Sequence, residues 1–522
     1  MFAQSREQGA QVGELLVDLR ELERGLVACG GIRSGGAHDL AQAALDPEPL
    51  RVQAERVGIA GGERMLDGVA RRPARACGLV EQRADLRLEQ GKRIGHRGTP
   101  GTIIRRGNVD GMGRQAHSRR RSGPILSLLA ALAALLAPGP APASDATLQS
   151  RLDRALRVPH VDPARTAALA VDLRTGAVVY SRNPSLSLVP ASNQKVPVAY
   201  AALAVLGGDY RFHTEVVGTG TQVGDVWDGN LFLRGYGDPT LDSSDLDGLA
   251  AEVASWGIRH VSGAVVGDES WFDARRTAPG WRPRHYIHES PPLSALVVAR
   301  GWYRGKTSPN PALAAASLFR QALEARGIEV AKPSRARALA REAVPLAGDV
   351  SVPLARIVRF MGRESDNYTA ETLVKQLGAL ELDRGTTAAG LRVVRRTLAE
   401  AGVPLTGVRL ADGSGLSSLD RLTARAIVAL LEAGLANREI AGAFLATLAV
   451  AGVDGTLEHR MRTLPARGRV IAKTGTTSLA SSLSGFVRRR YAFAILQNGR
   501  PVSSYWARVA QDRFATALAA SG

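Results

Sequence analysis

The chain has 522 residues, 45% apolar and 22% charged, a globular composition that excludes a disordered or fibrous protein. No run of 18 or more apolar residues occurs, which excludes a polytopic helical membrane protein. Lys plus Arg number 67 against 49 Asp plus Glu, giving +18, a balance that favours an anionic partner without bearing on fold. Only 6 of the basic residues are Lys and 61 are Arg, so a Lys in a patterned position carries information.

In chain order, residues 1–111 are rich in Gly and Arg and lack sustained apolar periodicity, apart from a weak helical stretch near Gln11–Leu26. Then follow Met112, Arg119-Arg120-Arg121, an apolar run from Ile125 to Ala137, and a Pro- and Ala-rich stretch ending in Ala143-Ser144. A basic segment, a short apolar segment and a small-residue cleavage site make a secretory signal, expected over 112–143 with cleavage after Ala143. The apolar run is 13 residues long. As a helix rising about 1.5 Å per residue it falls short of a hydrocarbon core of about 30 Å, so no stable membrane span is expected. The economical expectation is that translation starts at Met112 and that 1–111 is a mis-assigned extension; the alternative is a genuine cytoplasmic arm ahead of one marginal span. Both cysteines, Cys29 and Cys77, lie upstream, so the mature chain of 379 residues has none, in keeping with an oxidising compartment. That mature chain carries +12. Outside the cytoplasm an anionic wall polymer is the expected partner, and nucleic acid is not.

Within the mature chain, Ala167–Asp172 and Ala177–Ser181 read as a hairpin, and a helix follows Pro190-Ala191-Ser192 and stops at Gly207-Gly208. Pro197 is expected to bend the first turn of that helix. Strand-like pieces (Asn230–Arg234, Val261–Val266) and one helix (Ala312–Arg326) then alternate with Gly-, Pro- and Asp-rich loops. Helical patterning returns at Ser365–Leu380, Thr386–Ala401 and Ala424–Ala436. The chain ends with strands at Val470–Thr474, Ser481–Val487 and Tyr491–Gln497 and a closing helix near Ser503–Ala520. This order predicts an α+β fold: a domain of antiparallel sheet and helices over 144–212 and 345–522, interrupted by a smaller β-rich insertion over 213–344.

Three short motifs could carry chemistry. Ser192-Asn193-Gln194-Lys195 sets a hydroxyl and an amine three residues apart, on one face of a helix start. A serine hydroxyl needs an adjacent base to become a nucleophile, and of the two long basic side chains only Lys can be neutral. Ser365-Asp366-Asn367 opens a helical run and fits an ordinary N-cap. Lys473-Thr474-Gly475-Thr476 closes an apolar strand, where the Gly lets another backbone approach the strand edge. Each alone is a common structural feature; the three together, in this order and behind a signal segment, are not. His285-x-x-His288 is a loop pair without carboxylate support and reads as structural, so neither metal nor cofactor is expected. Arg488-Arg489-Arg490 reads as a solvated hairpin turn.

Ser-x-x-Lys, Ser-x-Asn and Lys-Thr-Gly are the motif set of the penicillin-binding serine acyltransferases. With Leu233–Leu241, Gly267–Asp273, Asp412–Ser417 and Gly455-Thr456-Leu457, the pattern resembles the D-alanyl-D-alanine carboxypeptidase/endopeptidase family, the class C low-molecular-mass penicillin-binding proteins. The resemblance covers about Thr147–Leu518. It implies a penicillin-binding-protein/β-lactamase-like fold and an enzyme in the periplasm or on the outer side of the cytoplasmic membrane. Its substrates would be peptidoglycan stem peptides ending in D-Ala-D-Ala, with D-Ala crosslinks as a further candidate, and β-lactams would inhibit it. Residue by residue, the resemblance implies Ser192 as nucleophile and Lys195 as base, with Ser365 and Asn367 completing the polar network. Lys473 and Thr474 would hold the substrate carboxylate. The backbone N–H groups of Ser192 and Thr476 would form the oxyanion hole, Gly475 would lie at the strand edge, and Leu416 and Ser417 would sit near the cleft. Two departures stand out: the stretch from Lys195 to Ser365 is shorter than in larger members, and Ser418 occupies a position where members often have Arg, with Arg421 three residues on.

Two rival readings remain at this level. A class A β-lactamase shares the motifs but is shorter and needs a Glu-x-x-Leu-Asn segment, which does not occur between Asn367 and Lys473. A non-catalytic wall-binding protein could keep the fold without the reactive geometry.

Overall fold

A computed structural model describes residues 143–339 and 343–521. The extension 1–111, its Gln11–Leu26 stretch and the signal segment up to residue 142 lie outside the described residues.

The chain runs α1 (Ala143–Leu156), β1 (Thr166–Asp172), β2 (Ala177–Arg182), α2 (Lys195–Leu206), β3 (His213–Val223), β4 (Val226–Gly235), α3 (Ser243–Ser255) and β5 (His260–Asp268). After the short strands β6 (Trp302–Tyr303) and β7 (Lys306–Thr307) come α4 (Pro311–Ala325), β8 (Glu329–Ala336) and β9 (Val344–Val350). The helices α5 (Leu354–Arg363), α6 (Asn367–Leu382), α7 (Thr387–Glu400), α8 (Ala424–Ala436) and α9 (Ala441–Ala446) follow. The chain closes with β10 (Ala449–Val450), β11 (Val470–Thr476), β12 (Ala480–Val487), β13 (Tyr491–Asn498) and α10 (Ser504–Ala519).

The main sheet has the order β10-β11-β12-β13-β1-β2 and is antiparallel throughout. Strands β1 and β13 are largely apolar without alternation because both faces are covered. In β1, Ala167, Leu169 and Val171 join a core shared with α2, α5, α6, α7 and α8, while Ala168 and Ala170 face a second core with α1 and α10. β13 divides the same way, Ala492, Ala494 and Leu496 on one side and Tyr491, Phe493 and Ile495 on the other. The period-2 geometry of a strand makes this division automatic.

The second sheet, β8-β5-β4-β3-β9, is mixed: β3 pairs antiparallel with β4 and β9, whereas β4–β5 and β5–β8 are parallel. Helices α3 and α4 pack on it around Leu246, Leu249, Val253, Phe319 and Leu323. Parallel neighbours need a crossover between them, and α3 and α4 supply the two crossovers. The expected strands and helices are present, and the helices α1, α3, α5 and α9 and the strands β3, β6, β7, β8, β9 and β10 are additional. α3 was legible: Leu246, Leu249, Ala250 and Val253 form a helical stripe, and Asp242 with Asp245 makes a capping box. Its serines and aspartates read instead as loop.

Pro197 causes no break. Residues Ala191–Gln194 form a 3-10 turn, and Pro197 falls in the first turn of α2, where a missing N–H costs little. Among the described residues no helix is long and apolar enough to cross a membrane.

Candidate active site

The 3-10 turn carrying Ser192 is pressed against the edge of β11. Ala191 adopts a left-handed conformation (φ 48°), and Ser365, on the facing loop, does too (φ 59°). Such strained residues need surrounding contacts to hold them. Asn193 supplies them on one side: its Nδ2 donates to Lys473 O at 3.2 Å and to Ser482 Oγ at 2.7 Å, and Ser484 Oγ donates to its Oδ1. Ser482 Oγ in turn donates to Pro190 O at 2.6 Å. Gly475 is required here, because a Cβ would fall 2.3 Å from Ser482 Oγ and 2.9 Å from Ser192 N. Gly415 is in the same position on the other side, with φ 83° and a Cβ that would lie 1.9 Å from Ala191 O.

Lys195 is 1% exposed. Its Nζ donates to Ser192 Oγ at 3.2 Å, Asn367 Oδ1 at 2.8 Å and Ser414 O at 2.7 Å. Burial pushes its pKa down to about 8 against the opposing pull of Asp412, Asp366, Glu371 and Glu289. Lys473, equally buried, donates to Ser365 Oγ and to Thr474 O, both at 2.9 Å. Burial and then the neighbouring Lys195 hold it well below the ordinary lysine value. Thr474 Oγ1 donates to Thr456 Oγ1 at 2.8 Å. The five expected catalytic side chains fall into two contact sets, Ser192 with Lys195 and Asn367, and Ser365 with Lys473, close enough for Lys195 to lower the pKa of Lys473, with Thr474 and Gly475 beside them. Thr476 ends the strand, exposed and paired in register with Ser481.

The expected N-cap is real and belongs to Asp366, whose Oδ1 accepts from Thr369 N at 2.7 Å while Arg300 makes an ion pair with its other oxygen. Asn367 is thereby fixed at the start of α6, and its Nδ2 donates to Glu289 O at 2.8 Å.

The loop Asp412–Ser417 forms the opposite wall. Asp412 is fully buried and accepts from Gly415 N at 2.7 Å, Ser417 N at 2.8 Å, Ser414 Oγ at 3.1 Å and Trp281 Nε1 at 2.9 Å. Asp420 accepts from the N–H groups of Ala411 and Asp412, and burial beside Asp412 pushes its carboxyl well up. Leu416 is half-buried. Ser417 is fully buried, its Oγ accepting from Leu419 N at 3.2 Å. The Arg421 guanidinium donates to Ser418 O and Asp420 O of its own loop.

Other motif residues brace the surroundings. Asp238 accepts from Thr240 N and Oγ1, closing a turn. Asp268 binds Arg234 and two backbone N–H groups. Trp271 Nε1 donates to Gln376, and Asp273 pairs with the buried Lys375. His285 Nδ1 accepts from Arg282 N, and burial pushes the imidazole pKa down. Among the described residues no group of three His, Cys, Asp or Glu gathers that could hold a metal ion.

Sequence reasoning missed Glu371, Asp420 and Trp281. A signal existed for the first: Asn367, Glu371 and Lys375 recur every four residues along a helix that also carries Ala370, Leu373, Val374 and Leu377.

The pattern of the D-Ala-D-Ala carboxypeptidase 3 (S13) family matches residues 148–310 and 305–520. The D-alanyl-D-alanine carboxypeptidase of Actinomadura sp. (strain R39) is 34% identical over 439 residues, covering 67% of this chain and 81% of the relative. A carboxypeptidase of Mycobacterium tuberculosis is 31% identical over 395 residues, covering 70% and 82%. In fold, the chain is similar to the crystal structure of penicillin-binding protein 4 from Haemophilus influenzae, with TM-score 0.62, 23% identity and coverage of 71% and 98%. A second structure of that protein, in complex with a β-lactam, gives TM-score 0.57 at 24% identity, again covering 71% and 98%. The chain belongs to the D-Ala-D-Ala carboxypeptidase 3 (S13) family and is a serine-type D-Ala-D-Ala carboxypeptidase.

Proposed function

We propose that this enzyme is exported and trims D-Ala-D-Ala ends of peptidoglycan stem peptides through an acyl-enzyme on Ser192. The observation that carries this reading is the 3.2 Å approach of Lys195 Nζ to Ser192 Oγ, with Lys473 buried in the same cleft. Lys195, neutral, takes the hydroxyl proton as Ser192 attacks the carbonyl of the penultimate D-Ala. The backbone N–H groups of Ser192 and Thr476 stabilise the developing oxyanion. Ser365 relays to the leaving D-Ala amine the proton that Lys195 has taken up, and Asn367 orients the substrate amide. Lys473 and Thr474 hold its carboxylate, a task suited to a cation beside a hydroxyl donor. Water then releases the acyl group.

The signal segment 112–143 sends the chain to the periplasm or the wall side of the membrane, where its excess of arginine favours anionic wall polymers. Residues 144–212 and 351–522 form the catalytic domain, and the insertion that braces it, expected over 213–344, extends to 350 because β9 pairs with β3. A β-lactam, whose strained amide mimics the substrate, acylates the same serine. The absence of a Glu-x-x-Leu-Asn segment leaves that adduct standing.

Fluorescent penicillin labelling of the protein and of Ser192→Ala tests this. A stable label on the parent and none on Ser192→Ala is the expected result. Steady turnover of penicillin would favour a β-lactamase, no label at all a non-catalytic wall-binding protein, and a label surviving in Ser192→Ala a different nucleophile.

A further inference from the structure

Helix α6 gives the cleft Asn367 from its first turn, and one turn later it carries Glu371, to which nothing above assigns a role. Glu371 is fully buried. Its Oε1 accepts from Gly413 N at 3.0 Å and from Ser414 N at 2.9 Å, while Oε2 has no hydrogen-bond partner among the described residues. The segment so held carries the Ser414 carbonyl, which lies 2.7 Å from Lys195 Nζ, the shortest of the three contacts that nitrogen makes. The next shortest is Asn367 Oδ1, one turn up the same helix. Both oxygen acceptors around Lys195, other than the serine, thus depend on one stretch of α6.

The chemistry of a neutral amine makes this matter. It has two N–H bonds and one lone pair, and a base works only when the lone pair points at the proton to be removed. The Ser414 carbonyl and the Asn367 amide oxygen can only accept. Each takes one N–H, and the remaining direction is that of Ser192 Oγ. If either acceptor moves away, rotation about the Cε–Nζ bond turns an N–H toward the serine and idles the base.

We infer that Glu371 is a positioning residue for the general base. It pins the Gly413–Ser414 segment so that two carbonyl oxygens occupy both N–H groups of neutral Lys195 and direct its lone pair at Ser192. This rests on the reading of Lys195 as base given above. Asp412 holds the far side of the same loop through Gly415 N, Ser417 N and Ser414 Oγ. Only one oxygen of Glu371 is used, and burial followed by the proximity of Asp412 pushes its carboxyl pKa up. Glutamine, uncharged and keeping that oxygen, is therefore the matched replacement, whereas aspartate keeps the acid but withdraws the acceptor by one methylene.

The test is the rate of acylation by benzylpenicillin as a function of pH, on the full chain, for Glu371→Gln, Glu371→Asp and Glu371→Ala. Glu371→Gln is expected to acylate within about threefold of the parent because the acceptor survives. Glu371→Asp and Glu371→Ala should lose about 10- to 100-fold, as misplaced catalytic groups do. That loss should persist at the high-pH plateau, where Lys195 is neutral in every variant, with unchanged non-covalent affinity for the drug. Parent-like plateau rates in Glu371→Asp or Glu371→Ala overturn the inference, as does a Gln variant no faster than the Asp variant. If Glu371→Ala does not fold, the Gln–Asp contrast decides alone. Lys195→Met keeping the parent rate would instead overturn the reading of Lys195 as base, a separate failure.

Discussion

Two lysines are buried against helix α6, and they do opposite things. Lys195 meets the first turn of the helix and Lys375 lies on it, about two turns further along. Lys375 pairs with the Asp273 carboxylate and donates to Arg275 O at 2.9 Å. Lys195 touches only uncharged oxygens: a hydroxyl, a side-chain amide and a backbone carbonyl. Burial pushes both pKa values down, but for Lys375 a carboxylate in direct contact pulls back. Of these two, the lysine given a carboxylate fits a brace and the one beside the serine hydroxyl fits the proposed base; neutral acceptors alone do not make a base, since Lys473 also has only such partners but contacts Ser365 rather than Ser192.

Exchanging the two lysines for methionine separates the roles. Lys195→Met should lower penicillin acylation by roughly 10²- to 10⁴-fold, the range for removing a general base, with no loss of folding stability because a buried amine disappears. A parent-like rate would erase the contrast. Lys375→Met should do the reverse, costing about 3 kcal/mol of stability by leaving Asp273 without its partner, while the folded fraction acylates normally. Denaturant midpoints alongside labelling rates check both.

Smaller changes sharpen the boundary between the two regions. Gly475→Ala puts a Cβ 2.9 Å from Ser192 N and should slow acylation by about 10- to 100-fold through displacement of the strand edge. Its stopped-flow acylation rate is the readout. Asp242→Ala, far along the chain in the cap of α3, should cost about 1 kcal/mol and leave acylation untouched, as differential unfolding and labelling would report.

Much of this was readable in the sequence, and the limits have physical causes. The Ser192/Lys195 pair was legible because helical spacing alone brings i and i+3 together. The strands β11 and β13 were legible because each opens on an apolar run. The convergence of Ser365, Asn367 and Lys473 came from motif resemblance, since no local rule brings residues more than a hundred positions apart into one cleft. Trp281 shows the limit: its contact with Asp412 spans 131 positions, and nothing local marks it. The mixed pairing of the second sheet was hidden for a related reason, because parallel neighbours are joined through helices rather than turns. Glu371 and α3, by contrast, were written in helical period and could have been read.

The pH dependence of acylation tests the central claim most directly. Burial brings Lys195 from its ordinary 10.5 down to about 8. A base acts when unprotonated, so the benzylpenicillin acylation rate should rise as pH increases through about 8 and level off above it. An inflection at the ordinary lysine value, or a rate flat from about pH 6 to about pH 10, would contradict a neutral Lys195 acting on Ser192.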